Sequence, residues 1–73
     1  MALVEIRSET AGGIWKVDVN IGDQVEEGQT LMVLESMKME IPILSTENGT
    51  VKEIKVKPDD IIKEDDVIII LEN

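Results

Sequence analysis

Short strands arranged as two similar halves, with no helix, are expected of this 73-residue chain. The first reason is a gapless internal repeat. Shifting the sequence by 37 positions lays Ile6 on Ile43, Ser8 on Ser45, Gly12 on Gly49, Val19 on Val56, Asp23 on Asp60, Glu27 on Glu64, Leu34 on Leu71 and Glu35 on Glu72. Apolar positions coincide between these identities, as in Ile14 with Val51 and Val25 with Ile62. The second reason is periodicity: polar and apolar residues alternate, or short β-branched runs stand between turn residues, as in half-buried and fully buried strands. The third is that Gly or Pro interrupts most candidate helical windows. Two copies are too few for a solenoid, but two half-barrels related by a two-fold axis can close on each other and bury both apolar faces.

Each element has its own signal. The stretch through Arg7 carries Glu5 and no long apolar run, so it suits an opening strand rather than a secretion signal or membrane span. Lys16-Val17-Asp18-Val19-Asn20-Ile21 alternates, as does Glu53-Ile54-Lys55-Val56-Lys57. Gly22-Asp23 and Gly28-Gln29 then supply turns in the first half. Pro58-Asp59-Asp60 and Asp65-Asp66 do so in the second, where aspartate can adopt the left-handed backbone that glycine permits. Between the turns Val25 and Ile62 each send one side chain inward. The aliphatic runs Leu31 to Leu34 and Val67 to Leu71 suit buried strands. Trp15, aligned with Lys52, breaks the repeat; its expected place is over a barrel edge or end. The organisation is one domain, 1–73, of pseudo-repeats spanning about 1–36 and 38–73.

Composition narrows the chemistry. Cysteine and histidine are absent, which excludes thiol nucleophiles, zinc clusters, imidazole metal sites and histidine-based triads. Seven basic against sixteen acidic side chains give a formal charge of −9, which repels nucleic acid and anionic membranes and suits basic partners or simple solubility. With one aromatic residue there is no stacking platform for bases. The acidic groups Asp59-Asp60 and Glu64-Asp65-Asp66 fit no calcium-loop spacing and read as solvated turns, so no metal is expected. The default expectation is a soluble, cytoplasmic monomer.

Ser36-Met37-Lys38-Met39-Glu40 is the one stretch without a counterpart in the repeat. Leu31 to Ser36 and Glu40 to Leu44 read as strands separated by Met37-Lys38-Met39, which puts Lys38 at the tip of a hairpin joining the halves. No Asn-Gly or Asp-Gly marks a tight reversal there. Two methionines beside an exposed amine depart from the small polar residues usual at loop tips, and their thioethers can adapt to a partner surface. Alternatively, the methionines point inward as gap fillers and Lys38 is one solvated charge among several.

Glu35-Ser36-Met37-Lys38-Met39-Glu40 resembles the Ala-Met-Lys-Met signature of the biotinyl/lipoyl attachment family. The resemblance covers nearly the whole chain. Val19 to Leu31 is similar to the family's strand, Gly-Asp turn, valine and second glycine, and Asn48-Gly49-Thr50-Val51 to its Asp-Gly-Thr-Val segment. Where the family has Ala-Pro-Met-x-Gly, this chain has Ser8-Glu9-Thr10-Ala11-Gly12, keeping only the glycine. The protruding thumb of some family members is absent.

The resemblance implies a flattened β-barrel, a barrel-sandwich hybrid of two quasi-symmetric four-stranded sheets. It implies that Lys38 receives biotin through an amide bond, that Met37 and Met39 are recognition positions, and that Glu35, Ser36 and Glu40 flank them on the hairpin. The chain would then be no enzyme and hold no catalytic residue. A biotin protein ligase would activate biotin as an acyl-adenylate and supply the base, since a lysine amine with an ordinary pKa of about 10.4 is protonated at neutral pH. Biotin carboxylase and carboxyltransferase subunits would load and unload the attached group, with the protein as its handle. A lipoyl carrier, modified by a lipoate ligase and serving 2-oxoacid dehydrogenases or glycine cleavage, or a dual acceptor of biotin and lipoate, is the alternative. The family's lipoyl members resemble Asp-Lys-Ala at the tip, so Met37-Lys38-Met39 favours biotin. An unmodified acidic β-barrel that binds a basic partner is a third reading.

Overall fold

The computed structural model describes residues 2–73, and Met1, at the start of the first repeat, lies outside the described residues. Eight strands follow one another: β1 Leu3–Arg7, β2 Gly12–Val17, β3 Gln24–Val25, β4 Thr30–Ser36, β5 Met39–Leu44, β6 Gly49–Ile54, β7 Ile61–Ile62 and β8 Val67–Glu72. No helix occurs among the described residues. The molecule is 37 Å long and 17 Å across.

The strands form two four-stranded sheets ordered β1-β8-β6-β3 and β5-β4-β2-β7, antiparallel at every pairing. They face each other as a flattened barrel-sandwich. Hydrogen bonding does not close them into a continuous barrel, so β1, β3, β5 and β7 remain as edges. Pro42 lies in edge strand β5, where a residue without an N–H costs no ladder bond on the free side. Each sheet also draws strands from both halves, so the halves interlock rather than meet as separate half-barrels.

The shift of 37 is a structural correspondence. β2 and β6 have the same sequence of exposed and buried positions, as do β3 and β7. Ile14 and Val51, Val25 and Ile62, Leu31 and Ile68, and Leu34 and Leu71 are buried in pairs in one aliphatic core. Ser8 and Ser45 are buried too. Each hydroxyl donates to a carbonyl two residues on, Thr10 or Glu47, at 2.5 Å. The turns also repeat with different residues. Gly22 (φ 96°) corresponds to Asp59 (φ 76°), and Gly28 (φ 86°) to Asp65 (φ 73°). Asp23 and Asp60 then accept the backbone N–H of Asn20 and Lys57, at 2.8 and 3.0 Å, which fixes both turns.

The alternating segments differ from expectation. β2 begins at Gly12 and stops at Val17, and β6 runs Gly49–Ile54, so Asp18 to Ile21 and Lys55 to Lys57 lie outside strands. Alternation continues past the strand ends because Val19 and Val56 still face the core after the ladder has ended. Ile21 is exposed. The strands start early because Gly12 allows a backbone approach that a side chain would block: a Cβ there would meet Glu35 O at 2.7 Å.

Candidate functional site

β4 and β5 form the hairpin at the seam. Their register pairs Thr30 with Leu44, Leu34 with Ile41, Glu35 with Glu40 and Ser36 with Met39. Only Met37 and Lys38 remain to reverse the chain, so the tip has two residues and Met39 opens β5 instead of belonging to the turn. Both tip residues have positive φ, 51° and 65°. That is the requirement of the two-residue turn whose twist matches its strands, usually met by Asn-Gly. Here two residues with full side chains meet it, against a steric preference of about 1–2 kcal/mol each. The long register below the tip holds this conformation.

The repeat narrows the unique segment further. Ser36 and Met39 correspond to Asn73 and Ala2, which exchange backbone hydrogen bonds of 2.8 and 3.0 Å. Met37 and Lys38 are thus the residues without a symmetry mate among those described.

Met37 is 91% exposed and Met39 63%, so neither fills the core; the inward alternative is overturned. In a two-residue tip whose strands already fill the core with Leu34 and Ile43, no apolar space remains for them. Lys38 is exposed and joins none of the ion pairs or side-chain hydrogen bonds among the described residues. Ser36 is half-buried, and Glu35 and Glu40 are exposed. The six residues expected at the site therefore form one projecting unit. Its chemistry is that of a single unpaired primary amine, suited to forming an amide with an activated carboxyl group and held apart from other nucleophiles. Among the described residues no group of three or more Asp or Glu is arranged to hold a metal.

Two contributors were not anticipated. Gly12 floors the hairpin, since its absent side chain leaves room for Leu34 and for the Glu35 carbonyl. Its identity with Gly49 across the repeat was the available signal. Trp15, expected over a barrel edge or end, stands half-exposed on the face of β2 with Lys16 Nζ 5.2 Å from its ring centre, lining an open depression with Ile61 of edge strand β7. It is the extra residue of a bulge, where the register passes from Ile14–Leu34 to Lys16–Val33; strand alternation after buried Ile14 already turns it outward, and the bulge leaves Lys16 exposed beside it.

The family model described as biotin-requiring enzyme matches residues 4–71. The chain is 52% identical over 65 residues to the biotin/lipoyl attachment protein of Bacillus subtilis, covering 89% of each. It is 39% identical over 67 residues to the biotinylated protein TB7.3 homolog of Mycobacterium leprae, covering 92% of this chain and 94% of the relative. The crystal structure of Kluyveromyces lactis urea carboxylase contains a similar fold, with a TM-score of 0.92 and 29% identity over 99% of this chain and 6% of that one.

Proposed function

Because this chain belongs to the biotin-requiring family of biotin/lipoyl attachment domains, we propose that it is a biotin carrier in which Lys38 bears the cofactor through an amide bond. The observation that carries this assignment is the two-residue tip, which holds an unpaired amine clear of the sheets in a conformation its side chains disfavour. A base on a biotin protein ligase takes a proton from the Lys38 ammonium, and the freed Nζ lone pair forms the C–N bond to the acyl carbon of biotinyl-adenylate. The acyl C–O bond to the phosphate breaks with AMP as the leaving group, and the nitrogen loses its second proton to give the neutral amide. The protein contributes no catalytic group of its own. Met37 and Met39 offer the ligase an adaptable apolar bracket, and Glu35, Ser36 and Glu40 set the hairpin that presents it. Rigidity matters because a fixed amine repeats one approach geometry.

Once attached, biotin supplies group transfer of an activated carboxyl between the active sites of a biotin carboxylase and a carboxyltransferase. Likeness to a domain of urea carboxylase supports these partners. Residues 1–73 act as one attachment domain of two pseudo-repeats, about 1–36 and 38–73, in a cytoplasmic monomer.

The name of the Bacillus subtilis relative favours one second reading, lipoate on the same lysine. Intact mass of the protein recovered from its own cells, and of Lys38→Arg, tests both. A biotin adduct on the natural chain, absent from the variant, is expected. A lipoyl adduct would transfer the assignment to lipoate, and an unmodified natural chain would end it.

A further inference from the structure

The repeat builds the same sheet twice, so positions where the two sheets differ reveal what only the lysine-bearing sheet needs. Trp15 and Lys52 are the extra residues of equivalent bulges in β2 and β6. On the second sheet Lys52 Nζ lies 3.6 Å from Glu72 Oε2. On the hairpin sheet the equivalent of Glu72 is Glu35, and the equivalent of its lysine is the indole of Trp15. Glu35 makes none of the ion pairs among the described residues. Ile61, 82% exposed in β7, likewise stands where the second sheet has Gln24. At these three equivalent positions one sheet shows Lys52, Gln24 and a neutralised Glu72, while the other shows Trp15, Ile61 and a bare Glu35. At the far end of the row the relation reverses, with exposed Leu3 on the second sheet where the hairpin sheet has Glu40, and Lys16, paired with Asp18, lies beside the Trp15 ring.

These residues are contiguous. Pairing places Ile61 beside Gly13, Gly13 beside Glu35, and Glu35 beside Glu40, one row across all four strands on one face, since directly paired residues share a face. Gly13, Trp15, Glu35, Asp59 and Ile61 line an open depression of about 360 Å³ on that face. Single exposed apolar residues are ordinary on a soluble protein. A tryptophan and an isoleucine beside unpaired carboxylates, a combination found on only one of the two equivalent sheets, form a docking surface of defined chemistry: an apolar patch on β2 and edge strand β7, with Asp59 beside it and the carboxylates of Glu35 and Glu40 on its β4–β5 side.

On the premise that Lys38 is the acylated residue, we propose that this face is the footprint of the biotin protein ligase, which meets it with an apolar pocket rimmed by basic side chains. Distance selects the ligase over the carboxylase components. Four strands about 4.8 Å apart span roughly 14 Å, and the near end of the row, Glu40, is two residues or about 7 Å from Lys38. A catalyst acting on the bare amine must come within bonding distance of the tip, which brings this face within the reach of its surface. After acylation the longer arm extends the reach, and later partners need not rest on the sheet.

The test is the initial rate of biotinylation of the full chain by a purified biotin protein ligase, with carrier concentration varied. The natural chain is compared with Trp15→Gln/Ile61→Gln and, on the opposite sheet, Lys52→Gln. In the double variant kcat/KM should fall about tenfold or more, chiefly through KM, with the thermal midpoint within a few degrees of the natural chain. The Lys52 variant should match the natural chain. Equal kcat/KM in all three would overturn the footprint while leaving Lys38 as the attachment site. A natural chain that is never biotinylated would overturn the attachment reading and the footprint with it. Sedimentation as a dimer that the double variant dissociates would assign the face to self-association instead.

Discussion

Glu35 and Glu40 face each other directly across the two strands that carry Lys38. Like charges in that relation oppose strand pairing, and a net charge of −9 offers them little relief. Replacing Glu40 with Gln should therefore stabilise the fold, by about 0.2–1 kcal/mol. Urea unfolding at low salt would read this as a higher midpoint with an unchanged slope. Added salt should shrink the difference between the two proteins, because it screens the repulsion in the natural one.

The left-handed tip is a second place where stability has been given up. Met37 can be replaced by Asn, which tolerates positive φ and is favoured in two-residue hairpin turns. Met37→Asn should raise stability by about 0.5–1 kcal/mol, or a few degrees in thermal midpoint. A lower midpoint would mean that the methionine makes a stabilising contact despite its exposure.

Gly12 and Gly22 are glycines for different reasons, and substitution should separate them. Gly22 has φ 96° and open space around it, so alanine there should cost about 1–2 kcal/mol through backbone strain alone. Gly22→Asp should cost less, since Asp59 already adopts this conformation at the equivalent turn. Alanine at Gly12 meets Leu34 and the Glu35 carbonyl, and relief requires moving the hairpin strand itself. The expected cost is about 1–3 kcal/mol. Chemical shift changes at Glu35 and Ser36, observed only for the Gly12 variant, would distinguish the two causes.

Leu34 and Leu71 occupy equivalent core positions, at 1% and 0% exposure. Truncating either to Ala should cost about 2–5 kcal/mol. A domain of this size has roughly 4–11 kcal/mol in all, so both variants should unfold near physiological temperature and at similar midpoints. Widely different midpoints would show that the two halves of the core are not equivalent in energy.

Much of this was legible because the chain repeats itself. Aliphatic residues at matching positions specified two copies of one strand set, and the unmatched lysine between them marked the hairpin. The left-handed conformations of Asp59 and Asp65 followed from their alignment with Gly22 and Gly28. Strand limits were harder to read. Alternation in Lys16 to Ile21 reports which side chains face the core, and Val19 does so without ladder hydrogen bonds. The tip was read as three residues because no glycine or asparagine announces a two-residue turn. The exchange of strands between sheets was not legible either. It depends on pairings such as Leu3 with Glu72, which no local pattern encodes.

That exchange has a bearing on biosynthesis. β4 and β5 leave the ribosome well before β7 completes their own sheet and β8 fills the centre of the opposite one. Until then the hydrophobic surface beneath Lys38 has no lid. The hairpin that carries the amine therefore gains its firm support only once translation has passed Glu72.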